Sequence, residues 1–248
     1  MNMPRLGSSR VRVETFAKCA ANGVYKSASS KVNMATWGST RKMQSPVEVP
    51  CMRRLLIATT NPGKLREITA ALSDVPFQLV TLAEWPLIVA PEETGRTFEE
   101  NARAKALYYA ARTGELTVAE DSGLEIDALG GAPGIASARW GGADATYPQK
   151  FALIYETLRA KGRIESPARF ICALALARNG AILFETRGIV EGRVAPEPKG
   201  GAGFGYDPIF FYPPFGRTLA ELGDRKHAVS HRGAAFRALK KYLLNTDN

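Results

Sequence analysis

The stretch from Ala168 to Gly192, ARFICALALARNGAILFETRGIVEG, restricts the possible architectures more than any other part of the chain. Two apolar runs flank Asn179-Gly180, the dipeptide that best tolerates the positive φ angles of a tight hairpin turn. An antiparallel strand pair is therefore expected here. The preceding sequence alternates between strand-like and helix-like periods, which implies parallel neighbours joined by crossovers. Together the two patterns predict an α/β fold with a mixed sheet.

The earlier elements read as follows. RLLIATTNPGKLREITAALSD (54–74) is strand, turn and helix, and FQLVTL is a short second strand. RTFEENARAKALYYAARTG (96–114) is a helix, with Thr97 and Glu100 spaced as a capping box and Gly114 as a stop. LTVAED is a strand leading into an acidic loop, Glu120-Asp121-Ser122-Gly123, whose Asp-Ser-Gly is turn chemistry. ATYPQKFALIYETLRAKG (145–162) is another helix. DPIFFYP is a strand, and SHRGAAFRALKKYLLN (230–245) is a closing helix capped by Ser230.

The chain has 248 residues and a formal charge of +9. Residues 1–50 hold eight Lys and Arg against Glu14 and Glu48, a balance of +6, so the rest carries only +3. A nucleic-acid-binding reading therefore rests mainly on those fifty residues. They are rich in Ser, Arg and Lys and lack a sustained period. Residues 1–52 thus read as a disordered or upstream extension, and residues 53–248 as the folded domain. Organellar targeting by the extension is the less favoured reading, and a cytoplasmic location is expected. No apolar run is long enough for a membrane helix, and no membrane association is expected. Cys19, Cys51 and Cys172 form no metal-binding spacing and suit a reducing compartment.

Four stretches combine turn residues with reactive side chains. Thr59-Thr60-Asn61-Pro62-Gly63-Lys64 puts backbone N–H groups and a lysine at a helix start, where anions bind, although it is not a Walker A loop. Glu92-Glu93-Thr94-Gly95 precedes a helix on which Asn101 and Lys105 share a face. Glu120 and Asp121 are candidate Mg²⁺ ligands, or one is a general base. Gly200–Asp207, with Lys226 and Ser230–Gly233, offers glycines for close approach, Phe204 or Tyr206 for stacking, and polar groups for a ring edge. Each stretch alone is compatible with ordinary turns and caps.

Taken in order, ATTNPGK, EETGRTFEENARAKA, EDSGLEIDALGGAPGIASARW, GAGFGYDPIFF and SHRGAA resemble the inosine/xanthosine triphosphate pyrophosphatase family. The resemblance runs from about Leu55 to Leu244. It implies a long mixed central sheet with flanking helices, in two lobes around a cleft, usually in a homodimer. It also implies Mg²⁺-dependent hydrolysis of ITP, dITP, XTP or dXTP to monophosphate and pyrophosphate, which cleanses the nucleotide pool. Carried onto this chain, it puts Thr59, Asn61, Lys64 and Lys105 on the triphosphate. Glu93 and Asp121 become metal-linked acids, with Asp121 the base. Phe204 stacks on the nucleobase, while Asp207, Lys226, His231 and Arg232 surround its edge. Asn101, Ser122, Gly205 and Tyr206 complete the expected substrate contacts, and the Gly130–Gly134 segment shapes the cleft wall. Glu120 departs from the aspartate common at that position. The alternative enzyme is a Maf-like pyrophosphatase acting on pyrimidine or modified nucleotides. No stable nucleic-acid partner is expected.

Overall fold

The computed structural model describes residues 52–245, and the proposed N-terminal extension lies outside them. The described residues from Arg54 onward form a compact unit of their own. Seven strands make one sheet: β1 (Arg54–Ile57), β2 (Gln78–Thr81), β3 (Leu116–Ile126), β4 (Pro167–Arg178), β5 (Ala181–Val194), β6 (Phe210–Tyr212) and β7 (Arg217–Thr218). Their order is β2-β1-β3-β4-β5-β6-β7. β1 lies parallel to β2 and β3, and the remaining pairs are antiparallel. The helices are α1 (Pro62–Ala71), α2 (Phe98–Thr113), α3 (Tyr147–Ala160), α4 (Lys226–Val229) and α5 (His231–Asn245). The expected mixed α/β sheet is what forms.

Local chemistry sets most boundaries. Asn61 caps α1 by accepting from the N–H groups of Gly63 and Lys64. Asn179 and Gly180 both have positive φ, 51° and 78°, as the β4–β5 hairpin requires. Ser230 caps α5 by accepting from Gly233 N–H. Thr97 caps α2 through Glu100 N–H, but the Glu100 carboxylate accepts from Arg96 N–H and not from Thr97. The predicted capping box is therefore only half made. Asp207–Ile209 is a single 3-10 turn, so the strand that follows the glycine-rich run begins at Phe210.

The largest departure from expectation is at Glu120-Asp121. These residues lie inside β3, paired with Leu174 and Ala173 of β4, and not in a loop. Side chains alternate along a strand, so the two carboxylates leave on opposite faces. One face packs Leu55, Ile57, Val118 and Leu174 against Ile68 of α1 and Phe236 of α5. The other packs Leu56, Ala119, Ala173 and Ala175 against Phe98, Ala102 and Ala106 of α2. A third cluster joins Phe151 and Ile154 of α3 to Phe170, Val190 and Phe210.

Pairing with β1 ends at Ile57↔Val118, with one more bond from Ala58 N–H to Val118 O, whereas β3 continues to Ile126. Beyond Val118 that edge of β3 is open, and the turn at Gly134–Ala136 covers part of it. Ser137 Oγ accepts from Leu124 N–H, and Glu125 bridges to Pro133. A Cβ on Gly123 would fall 2.5 Å from Gly134 O and from Ser137 Oγ, so only glycine permits this approach. No described helix is long and apolar enough to cross a membrane.

Candidate active site

A cavity of about 320 Å³ opens where β1 stops and β3 runs on. Because it sits at the end of a strand, it reaches both faces of the sheet, and both Glu120 and Asp121 line it. One wall comes from the Ala58–Asn61 loop, α1 and α2, and the facing wall from Phe170, Tyr147 and the Phe204–Asp207 turn.

On the α2 face, Lys105 Nζ lies 2.7 Å from Glu93 and 3.4 Å from Asp121. Asn101 Nδ2 donates to Asp121 Oδ2 at 2.9 Å, and its Oδ1 accepts from Gly95 N–H at 2.8 Å. Burial pushes the Asp121 carboxyl up, against the pull of Lys105 and the Asn101 hydrogen bond. Burial acts on Glu93 in the same sense, but there Lys105 and Arg139 outweigh it and hold the carboxyl low. Lys105 stays charged because Asp121 and Glu93 overcome its own desolvation. The two acids thus differ in basicity while sharing one ammonium.

On the opposite face, Glu120 accepts from Lys64 at 2.9 Å and lies 3.3 Å from Arg232. Burial would raise its pKa, but Arg232 and Lys64 drive it far below the usual carboxylate range. Glu120 is therefore a fixed anion that aims two cations. Each member of the acidic pair has its own cations on its own face, so the pair is not a repulsive contact.

Beside Lys64, Phe204 packs over Gly63, where a Cβ would fall 2.6 Å from the ring. Lys226 Nζ and the Arg232 guanidinium lie 4.9 and 5.4 Å from the Phe204 centroid, within cation–π range. Asp207 accepts from Phe204 N–H at 2.9 Å and from Lys226 at 2.6 Å. Burial pushes its carboxyl up against the Lys226 charge. Glu67 on α1 holds Lys226 at 2.7 Å and Arg232 at 2.8 Å, and Arg232 also donates to Ser122 Oγ at 2.8 Å. The His231 ring stacks on Phe170 at 4.7 Å and 12°. Burial and the nearby Arg232 charge hold it neutral. Its Nδ1 and the Nε of Arg232 are buried with no partner among the described residues, which leaves hydrogen-bonding capacity in the cavity wall.

The structure brings Thr59, Asn61, Lys64, Glu93, Lys105, Asp121, Ser122, Phe204, Gly205, Tyr206, Asp207, Lys226, His231 and Arg232 to this one cavity. Asn101 is the exception among the expected contacts: it lies behind Asp121 and does not line the cavity. Tyr206 is wall, with its hydroxyl donating to Ser137 O at 2.8 Å. Asn61 Oδ1 is occupied by its capping bonds. The residues that sequence reasoning missed are Glu67, Ser137 and Tyr147. Glu67 looks like any helix-surface acid, and only its burial at 8% exposure marks it out.

Acids, lysines and an arginine, gathered with an aromatic ring and a neutral imidazole around one cavity, define an α/β protein suited to a polyanion joined to a flat polar ring. The chain belongs to the Ham1 family, whose sequence profile matches residues 55–242. It is 44% identical over 192 residues to a dITP/XTP pyrophosphatase of Exiguobacterium sp., covering 77% of this chain and 97% of that protein. It is 45% identical over 193 residues to a dITP/XTP pyrophosphatase of Geobacter sulfurreducens, with the same coverage. The structure of a HAM1 protein from Coxiella burnetii superposes with a TM-score of 0.73 at 40% identity, covering 79% of this chain and all of that one. The Staphylococcus aureus Ham1 protein superposes with a TM-score of 0.68 at 32% identity, covering 77% and 98%.

Proposed function

We propose that this chain hydrolyses ITP, dITP, XTP and dXTP to the monophosphate and pyrophosphate. The observation that carries the reading is the division of one cavity into two chemistries. Lys64, Lys105, Glu93 and Asp121 line it with charge suited to a triphosphate, while Phe204, Asp207 and His231 line it with groups suited to a purine edge. The dITP/XTP pyrophosphatases of Exiguobacterium and Geobacter match this chain over nearly their whole length, which supports the same reading.

Glu93 and Asp121 fit Mg²⁺. Both are hard oxygen donors reaching one ammonium, and Mg²⁺ needs only one or two carboxylates beside waters and phosphates. When bound, the ion would neutralise developing charge on the phosphates. Lys64 and Lys105 bind and orient the triphosphate, which carries about four negative charges near neutrality. Asp121, raised by burial, takes a proton from a water whose oxygen bonds to the α-phosphorus. The bond from that phosphorus to the bridging oxygen breaks, and pyrophosphate leaves with the electron pair. Neutral His231 offers a ring N–H to the 6-carbonyl of hypoxanthine or xanthine, where adenine presents a donor. A homodimeric state, a cytoplasmic site of action and the absence of a stable nucleic-acid partner belong to this proposal.

The test is pyrophosphate release from ITP, XTP, ATP, GTP, dTTP and UTP with Mg²⁺. Release from ITP and XTP well above the others is expected, and so is loss of turnover with retained nucleotide binding in Asp121→Asn. Equal use of ATP or GTP, or release of orthophosphate alone, overturns the reading.

A further inference from the structure

Tyr147 lines the same cavity, yet it belongs to none of the motifs that carry the chemistry. It is the first residue of α3 and is followed by Pro148, and Gln149 Oε1 accepts from Thr146 N–H at 2.8 Å. These constraints fix the backbone beneath its ring. The ring stands edge-on to Tyr206, with centroids 5.4 Å apart, and Tyr206 is tied to Ser137. Lys150 Nζ lies 5.1 Å from the Tyr147 centroid and donates to Ala138 O at 2.6 Å, which binds α3 to the cavity wall.

The hydroxyl lies over Gly205, the residue between Phe204 and Tyr206: a Cβ there would be 3.6 Å from Tyr147 Oη. Burial pushes the phenol up, and the Asp207 carboxylate adds to the shift, which agrees with a place beside Asp207. Despite these contacts Tyr147 stays 37% exposed. A large aromatic surface, held rigidly at the mouth of a cavity and left uncovered, is available to a flat ligand.

We propose that Tyr147 is a further nucleoside-contacting residue, whose ring closes the end of the cavity beside Phe204 and Asp207 against the bound purine. This rests on the function proposed above. The purine is not altered in the reaction, so the contact acts on ground and transition states alike. It therefore lowers KM without changing kcat.

The test compares Tyr147→Phe, which keeps the ring, with Tyr147→Leu, which keeps bulk against Tyr206 but lacks a flat face. Tyr147→Leu should raise KM for ITP about tenfold, the scale of one stacking contact, with kcat nearly unchanged. Tyr147→Phe should match the wild type. Inorganic tripolyphosphate, used as a competitive inhibitor without a nucleoside, should inhibit all three proteins equally. An unchanged KM in Tyr147→Leu overturns the proposal, as does a parallel loss of tripolyphosphate inhibition, which would mark a general collapse of the cavity. If the wild type fails to turn over ITP, the function itself fails. Titration of IMP against wild type and Tyr147→Leu still reads the contact, with weaker IMP binding expected in the variant and equal binding refuting it.

Discussion

Asn101 spans the space between Asp121 and Gly95, donating to the carboxylate at 2.9 Å and accepting from the backbone N–H at 2.8 Å. One amide therefore holds Asp121, the proposed base, in register with the segment that carries Glu93. A Cβ at Gly95 would fall 2.5 Å from Asn101 Oδ1, so the close approach depends on glycine.

Replacing Asn101 with Ala should leave Asp121 rotationally loose and Gly95 N–H without its partner. We expect kcat for ITP to fall by about 10²-fold, the scale for a misplaced reacting group, with a much smaller change in KM. Stability should fall by about 1 kcal/mol for the lost part-buried hydrogen bond. Steady-state kinetics and urea unfolding read both. Unchanged kcat would show that Asp121 needs no such support.

Gly63→Ala separates packing from function. Alanine suits a helix better than glycine by about 1 kcal/mol. Its methyl would, however, meet the Phe204 ring at 2.6 Å and displace it. The expected result is a several-fold higher KM for ITP with a thermal midpoint near that of the wild type. A KM equal to wild type would argue that Phe204 does not contact the base.

Glu67→Gln should be costly near neutral pH, because Lys226 and Arg232 would keep buried charge without their shared anion. Breaking a buried pair typically costs about 3–5 kcal/mol. Burial would raise the Glu67 pKa, but Arg232 and Lys226 hold it below the ordinary 4.5. Its contribution is thus fully present above about pH 4.5 and is lost as pH falls through the lower folded value. The stability gap between variant and wild type, from denaturant midpoints, should shrink in that acid range. A gap independent of pH would contradict the assigned ion pairs.

His231 gives a second, higher pH window. Its folded pKa lies well below the ordinary 6.5 because burial and Arg232 oppose a further charge. The unfolded chain therefore binds a proton that the folded chain refuses. Stability is complete above about pH 6.5 and declines below it, by at most about 1.4 kcal/mol per pH unit for one proton. His231→Gln should flatten the thermal midpoint between pH 6.5 and 5. A variant that retains the wild-type slope would place that titration elsewhere.

Much of the molecule was legible because its signals are local. Asn179-Gly180 has few options other than a hairpin turn, and Asn61-Pro62 has few other than a helix start. The motifs around Lys64, Lys105, Asp121, Phe204 and His231 announced a shared site by their order. The acidic pair was misread in form, since Asp121-Ser122-Gly123 resembles a turn but is strand, held by ten paired positions along β4. Long-range pairing overrode local turn preference there.

Turn chemistry, caps and side-chain type determined which residues are available and where most elements begin, because those forces act over a few positions. The tertiary structure decided what each residue does. By ending β1 at Ile57 while β3 continues, it opened the strand edge and sent Glu120 to Lys64 and Arg232 but Asp121 to Lys105 and Asn101. It also buried Glu67 between two cations and set Tyr147 over Gly205. Burial and charge pairing depend on distance in space, and two residues 165 positions apart, such as Glu67 and Arg232, have no relation until the chain is folded.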